Sequence, residues 1–384
     1  IGVGRIPCKT LSEAEAVIRK IIHYDTSPAT LGDWRMRIGF AADDEDNNTH
    51  LRQADGVATL TANNHPEFVQ QKVYFDAFNQ VSTPGGARYP DANEALTNNL
   101  SQGQLVLNYL GHGGPKGWAQ ERVFQVEDIN KLSNFDRLPV MVTATCSFTG
   151  FDEPSVVSAG EQALLNPSGG AIALFSTVRA VYSSQNERIT REVFKKIFTR
   201  SEGERLRLGD IIRQSQNANQ SDTISSNTRK FLLFGDPAQT IAQPRYNIHL
   251  EQYNGEDINE NTLDTLKALE RGRLSGSIRD FNSAVINDFN GTVSISVFDK
   301  STALNTLDND GTGRVFEFEA RQNILYKGSA TVVNGRFEIE FILPRDINFD
   351  YGQGYMNLYA SDGVSRDAGG YYDQLVIGGT ADTA

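Results

Sequence analysis

Apolar and polar positions change their rhythm near Pro244. Before it, short apolar runs alternate with segments whose apolar residues recur at helical spacing. The runs at Arg35–Ala41, Lys72–Phe75, Gln104–Leu110, Leu138–Thr145, Gly170–Ser176 and Lys230–Phe234 read as strands. A capping box of Ser12 with Glu15, followed by Val17, Ile18, Ile21 and Ile22 on one face, predicts a helix. Ile189, Val193, Ile197 and Phe198 fall at the same spacing, as do Leu208, Ile211 and Ile212. Strands alternating with helices predict an α/β domain over residues 1–245, a largely parallel sheet covered by helices.

After Pro244 the pattern becomes strict alternation: Val293, Ile295 and Val297, then Phe316 and Phe318, then Phe337, Ile339 and Phe341. Polar residues between them leave each strand wet on one face. Asn334-Gly335 separates two such runs and is the pair a two-residue hairpin prefers. Further strands are expected near Gly272–Ile278, Tyr355–Ala360 and Gln374–Ile377. About seven strands in this span predict an all-β immunoglobulin-like sandwich over residues 246–384. There is no internal repeat and no low-complexity segment. A chain of 384 residues exceeds the size at which one core usually stops growing, so two domains are expected. The opening Ile1-Gly2-Val3-Gly4-Arg5-Ile6-Pro7 reads like the middle of a domain, and upstream sequence is expected to precede it.

Charge narrows the function. A formal net charge of −12 without a basic stripe argues against a nucleic-acid partner. No apolar run approaches the roughly 18 residues that a membrane-spanning helix needs. The two cysteines, Cys8 and Cys146, permit one disulfide at most, and pairing would consume the more interesting thiol, so both are expected to be reduced.

Cys146 closes the apolar run Leu138–Thr145, and Gly111-His112-Gly113-Gly114 closes the run Leu105–Leu110. In an open parallel sheet, strands deliver ligand-binding groups at their carboxyl ends, so a thiol and an imidazole surfacing there are candidates for nucleophile and base. Taken singly, each has a bland explanation: a free Cys is usually an inert small hydrophobe, and a His beside glycines a satisfied loop residue. Together they favour a cysteine peptidase or acyl transferase, because flanking glycines let backbone donors approach a reacting carbonyl.

Asn108-Tyr109-Leu110-Gly111-His112-Gly113, the Leu138-Pro139 strand ending in Cys146, Gly169-Gly170-Ala171-Ile172-Ala173 and Phe234-Gly235-Asp236-Pro237 resemble the gingipain family of caspase-like cysteine peptidases. The resemblance runs from Gly4-Arg5 to Pro237 and includes the helix ending Ile22-His23-Tyr24. Thr143-Ala144-Thr145-Cys146-Ser147-Phe148, Phe151-Asp152, Ser158-Ala159-Gly160-Glu161, Thr177-Val178-Arg179 and Gln185-Asn186 bring it closest to the branch that serves type IX secretion as signal peptidase and sortase. The resemblance implies a caspase-like sheet, Cys146 as nucleophile, His112 as acid and base, and an oxyanion held by the amides of Gly113 and Cys146. It also implies secreted proteins with a C-terminal signal domain as substrates, anionic lipopolysaccharide as acyl acceptor, other type IX components as partners, and an outer-membrane-associated cell-surface location. No cofactor and no catalytic metal are implied.

The family places an acidic residue upstream of the His, where this chain reads Ala42-Asp43-Asp44-Glu45-Asp46. Asp43 is the first choice for orienting the imidazole and Asp44 the second; a solvated acidic loop or oxygen ligands for calcium are the alternatives. Ser176, Thr177, Val178 and Arg179 are expected to line the substrate cleft, with Tyr182 as a wall. No acidic floor for a basic P1 residue is identifiable, so a small or uncharged P1 residue is expected. Glu121 reads as an exposed loop carboxylate, with an approach to the site from the His112 loop as the alternative, Asp308-Asn309-Asp310-Gly311 as a turn in preference to part of a calcium loop, and His23 as a helix-end residue explained by packing or by the helix dipole. His50, His65 and His249 read as isolated, without zinc-site spacing.

Overall fold

The computed structural model describes residues 1–201, 203–218, 227–258 and 264–381. Six strands form the first sheet: β1 (Arg37–Ala42), β2 (Val69–Tyr74), β3 (Val106–Leu110), β4 (Val140–Ala144), β5 (Ala173–Thr177) and β6 (Phe231–Phe234), in the order β6-β5-β4-β3-β1-β2. All neighbours are parallel except β5 and β6. The central strands are apolar on both sides, as a sheet covered on both faces requires. Val106 and Leu110 face a layer formed by α2 (Glu45–Asn64), α5 (Ser183–Phe194) and α6 (Leu208–Ala218), whereas Leu107 and Tyr109 face α3 (Pro90–Gln102) and α4 (Ala159–Leu165).

The first helix, α1 (Leu11–Thr26), departs from its sequence reading in two ways. Its capping box is Thr10 with Glu13, because Thr10 is the residue with extended backbone, φ −132° and ψ 159°. Its buried face is Val17, Lys20 and Tyr24, while Ile18 and Ile22 are exposed. The helix turns this way because the Lys20 ammonium reaches the open end of α4, donating to the carbonyls of Leu164 (2.9 Å), Asn166 (3.3 Å), Gly169 (2.7 Å) and Ala163 (3.5 Å). The Ala163, Leu164 and Asn166 carbonyls lie at the end of the helix, where no intrahelical donor reaches them and the dipole is negative, and Gly169 lies in the loop beyond. Burial pushes the Lys20 pKa down to about 7, and the carbonyls oppose that by favouring the charged form.

The second unit is an all-β sandwich. Its larger sheet runs Ile324–Val332, Gly291–Phe298, Tyr355–Ser361, Asp367–Tyr372, Tyr246–Tyr253, Arg271–Arg279, Arg336–Ile342, with a short strand off this path. Asp264–Ala268, Leu375–Thr380 and Gly352–Gln353 form a smaller sheet. Asn334 and Gly335 make the expected tight turn, with φ of 51° and 73° and paired bonds between Val333 and Arg336. The strands on either side nevertheless diverge, Val332 pairing with Gly291 and Arg336 with Ser277, so the two ends of the long path are consecutive in sequence and the sheet curls toward closure.

Phe316 and Phe318 do not belong to the sandwich core as their alternation suggests. Glu317–Ala320 pairs with Thr302–Asn305 in a separate hairpin whose apolar face turns to the first unit, where Phe318 packs on Tyr74 with ring centroids 4.7 Å apart. The hairpin tip is bound to Asp76, whose carboxylate accepts from Asp308 N (3.0 Å), Asn309 N (2.9 Å) and Asn309 Nδ2 (2.8 Å). A second junction is the buried pair Arg35–Asp367, 2.8 Å apart, in which Asp367 also accepts the Arg245 N–H.

Two outcomes follow. Lys20→Met removes the donor to the Leu164, Asn166 and Gly169 carbonyls and is expected to lower unfolding stability by about 2 kcal/mol, read by urea denaturation. Asp76→Ala removes the acceptor for the hairpin tip and is expected to speed hydrogen exchange at the Asp308 and Asn309 amides while leaving exchange in β3 and β4 unchanged.

Candidate active site

Leu110 and Ala144 are register partners on adjacent strands, and His112 and Cys146 each lie two residues beyond them. Neighbouring strands run about 4.8 Å apart, so the chain segments that carry the imidazole and the thiol leave the sheet side by side at the same height. Ala42 is the partner of Leu110 on the other side, which brings Asp43 to that edge as well. Residues far apart in sequence thus meet where parallel sheets bind ligands.

The main chain of His112 is held from both sides. Its N–H donates to Asp43 Oδ2 (2.8 Å), and its carbonyl accepts from Tyr109 Oη (2.6 Å) and Ala119 N (2.9 Å). Tyr109 is fixed by stacking on Trp118, centroids 4.2 Å apart and planes 7° from parallel. Gly111 makes the clamp possible, since a Cβ there would sit 2.4 Å from Tyr109 Oη and 2.5 Å from Asp43 Cβ.

The imidazole itself faces a different acid from the one expected. Nε2 lies 3.1 Å from Asp46 Oδ2 and 3.4 Å from Glu45 Oε2. Asp43, the first choice for orienting the ring, uses its oxygens on the N–H groups of His112 and Asp44. Asp44, the second choice, accepts from Tyr89 Oη. Asp46 reaches the ring because Asp46, Asn47 and Asn48 are left-handed, φ 57°, 56° and 62°, a conformation that Asp and Asn tolerate. The run Asp46-Asn47-Asn48 was the available signal for this turn.

His50, read as isolated, is buried edge-on against His112, with ring centroids 5.1 Å apart and planes at 90°. It belongs to α2, whose polar sequence hides a narrow apolar face of Leu51, Ala54, Val57 and Ala58. Burial, and then the neighbouring His112, push the His50 imidazole below its usual range. Glu121 is likewise not an exposed loop acid: only 8% of it is accessible, and burial pushes its carboxyl up to about 7.

Cys146 sits at a sharp bend. Ser147 has φ 51°, and the following chain is tied to the segment after β5 by Ser147 N to Arg179 O (3.2 Å) and Thr149 N to Thr177 O (3.0 Å). The sulfur accepts from Val181 N at 3.4 Å. Among the described residues the Cys146 amide has no acceptor of its own, which leaves it available to an oxyanion. At Gly113, the other expected oxyanion donor, a Cβ would meet Thr145 Oγ1 at 2.6 Å and Gly117 O at 2.8 Å, so the backbone there can approach closely. Both cysteines are free thiols.

The segment expected to line the cleft is divided. Ser176 and Thr177 are fully buried: Ser176 Oγ bonds Thr143 (2.7 Å) and Thr149 (2.9 Å), and Thr177 donates to the Thr145 carbonyl. These side chains brace the strand that leads to Cys146 from within and do not line an open wall. Val178 is half-buried, whereas Arg179 and Tyr182 face outward, Arg179 in a two-pronged pair with Asp152, whose carboxyl the guanidinium holds down at about 2. A cleft of about 790 Å³ opens beside His112, lined by Gly113, Gly114, Gln120 and Val156 among others. A cavity of similar volume, about 800 Å³, lies between the two units near His65, Arg200 and Tyr371, away from His112 and Cys146.

Residues 1–242 match the model of peptidase family C25. The pro- and mature-domain complex of RgpB from Porphyromonas gingivalis superposes with a TM-score of 0.53 at 15% identity, covering 96% of this chain and 77% of that one. The Arg-specific cysteine proteinase gingipain R, RgpB, gives 0.53 at 16% identity over 96% and 75%. Dimeric latent PorU from Porphyromonas gingivalis is 30% identical over 56% of this chain and 21% of its own, with a TM-score of 0.34. Comparison with curated proteins finds no match. The two RgpB likenesses show the fold, and the family match, covering more than half of the sequence, shows that this chain belongs to peptidase family C25, the gingipain family of cysteine peptidases.

Proposed function

We propose that Cys146 and His112 form the catalytic dyad of an endopeptidase with transpeptidase capacity, one that removes C-terminal signal domains from type IX secretion cargo. The observation that carries the dyad is the shared register of β3 and β4, which places both groups two residues past a paired position. The Cys146 sulfur attacks the scissile carbonyl carbon and its proton passes to His112. The C–N bond then breaks, His112 returns the proton to the departing amine, and a thioester remains on Cys146. An incoming amine or water attacks the thioester and loses a proton through His112, regenerating the thiol. Oxyanion donors at Gly113 and Cys146 would each contribute about 3 kcal/mol.

In the resting arrangement the ring is turned to Asp46 and the thiol to Val181. Rotation of the exposed His112 side chain about its first torsion would free the ring from Asp46, and a clamped main chain makes it a pivot. The motifs shared with the type IX branch support a cell-surface role on the outer membrane, secreted cargo as substrate, an amine of anionic lipopolysaccharide as acceptor, and assembly with other type IX components. An Ig-like sandwich beside the peptidase unit fits such a role as the structural companion of the catalytic unit.

The test is incubation with cargo that carries its terminal signal, with and without a competing amine, followed by mass analysis of the released ends. Sortase activity is expected to give an amine adduct at the new carboxyl terminus; a free carboxylate in both samples would identify a hydrolytic gingipain-like protease. Cys146→Ala is expected to abolish both products, and cleavage that survived it would identify a catalytically inactive scaffold in a contaminated preparation. Asp43→Asn, which weakens the hold on His112 N–H, is expected to lower kcat/KM about 10²-fold through misplacement of the base. Asp46→Asn leaves the main-chain clamp intact and is expected to cost less, measured by the same peptide assay.

A further inference from the structure

One carboxylate oxygen stands between two imidazoles. Asp46 Oδ2 lies 3.1 Å from His112 Nε2 and 3.4 Å from His50 Nε2. Asp46 is exposed, whereas only 4% of His50 is accessible and its ring packs edge-on against that of His112. Neither nitrogen of His50 makes a hydrogen bond among the described residues: the approach to Asp46 is long, and Gln53, the other polar side chain facing the ring, lies outside bonding geometry. The charged groups that face the ring are Asp46 and His112. A buried imidazole without a partner is unfavourable, and a benzene ring would fill the same space at no such cost, so the nitrogens point to a bond made in another state of the site.

We propose that His50 is a positioning residue for His112, one that takes over the Asp46 carboxylate when the His112 ring turns away from it. The proposal rests on the reading of His112 as the base. The contact of 3.4 Å becomes a charge-assisted hydrogen bond, His50 Nε2–H donating to Asp46 Oδ2, after a shift of about 0.6 Å. Asp46 then keeps an imidazole donor at each stage, and what His112 loses on leaving is recovered at His50, so the ring is freer to rotate. The turn that carries Asp46 stays in place during the exchange, because Asn48 Nδ2 donates to Arg314 O at 2.6 Å. Burial, and then His112 beside it, push the His50 imidazole toward its neutral form. A neutral ring can hand the carboxylate back, whereas a charged one would keep it and would repel an imidazolium at His112.

The takeover can be read without any catalytic assay, by nuclear magnetic resonance of the full chain with isotopically labelled histidine. The chain has five histidines, and loss of a signal on substitution assigns His50 and His112. His112→Ala deprives Asp46 of its first donor, so the His50 Nε2 proton is expected to move downfield and to exchange more slowly with water than in the parent; adding Asp46→Asn is expected to reverse both changes. A His50 signal that stays put in His112→Ala, or that moves there regardless of Asp46→Asn, would overturn the proposal. In the peptide assay, His50→Phe keeps a ring of similar size but removes the donor, and is expected to lower kcat about tenfold with KM unchanged, since the bond forms only as His112 moves. His50→Gln, which restores an N–H near the place of Nε2, is expected to recover most of that loss. In an Asp46→Asn background His50→Phe is expected to cost nothing further. An equal loss in both backgrounds, or no recovery in His50→Gln, would identify a packing role and overturn the proposal. Absence of cleavage by every form, the parent included, would sink the peptidase reading, while the His50 signal would still decide the exchange.

Discussion

The pairing of β3 with β4 is the constraint on which the rest of this molecule depends. Parallel strands have no tight turn between them and must be brought together by crossovers, so what fixes their relative height is hydrogen bonding along the strands and apolar packing on both faces. Here Val106 through Leu110 pair without a slip with Val140 through Ala144. Asn108 adds a cross-strand tie, its buried side-chain amide donating to the Val142 carbonyl. A one-residue slip would turn Leu107 and Tyr109 into the wrong layer and separate His112 from Cys146 along the sheet edge. The cost of exposing those apolar side chains, about 1.5–3 kcal/mol each, holds the His112 and Cys146 segments in register as a by-product of core formation.

Beyond the sheet edge, positioning passes to polar contacts, which divide the work. Asp43 and Tyr109 hold the main chain of His112, and Tyr109 is held in turn by Trp118. Asp46, on a left-handed turn, meets the ring. A clamp on the backbone and a looser contact on an exposed side chain allow the ring to rotate while its pivot stays still. Burying Asp43 has an electrostatic consequence: burial, and then Asp44 beside it, raise its carboxyl well above the usual range despite the His112 N–H it accepts. The same geometry that holds the His112 main chain therefore crowds buried carboxyls, which burial and mutual repulsion shift toward the protonated form.

Much of this was readable in the chain. Apolar runs ending in Gly111-His112-Gly113 and in Cys146 are local signals, and the six strands of the first sheet lie where those runs are, with ends displaced by a few residues. What was not readable depends on partners distant in sequence. α2 is poor in large apolar residues and begins with an Asp-Asn-Asn turn, so its periodicity is weak and His50 looks solitary until the helix is packed against the His112 loop. Glu121 reads as a surface acid because nothing adjacent to it in sequence reveals that the loop folds under itself. Ile18 and Ile22 promised the buried face of α1, and Lys20 took it, because its ammonium meets carbonyls at and just beyond the end of α4, partners far away in sequence.

The hairpin that leaves the sandwich shows why alternation alone does not tell where a strand packs. Period-two patterning specifies that Phe316 and Phe318 share a face, and leaves open which core that face meets. Here it meets the outer edge of the peptidase sheet, where β2 would otherwise present unpaired groups; Lys72 on β2 donates to the Glu319 carbonyl and Tyr74 stacks on Phe318. The tip then passes Asp76 and reaches α2, where Asn48 donates to Arg314 O at 2.6 Å. Asn48 is two residues from Asp46, the acid on the His112 ring, and it shares the left-handed turn that aims that acid. The second unit thus stabilises the conformation of the loop that faces His112, so the sandwich is tied to the candidate site through a run of hydrogen bonds and not merely attached beside it.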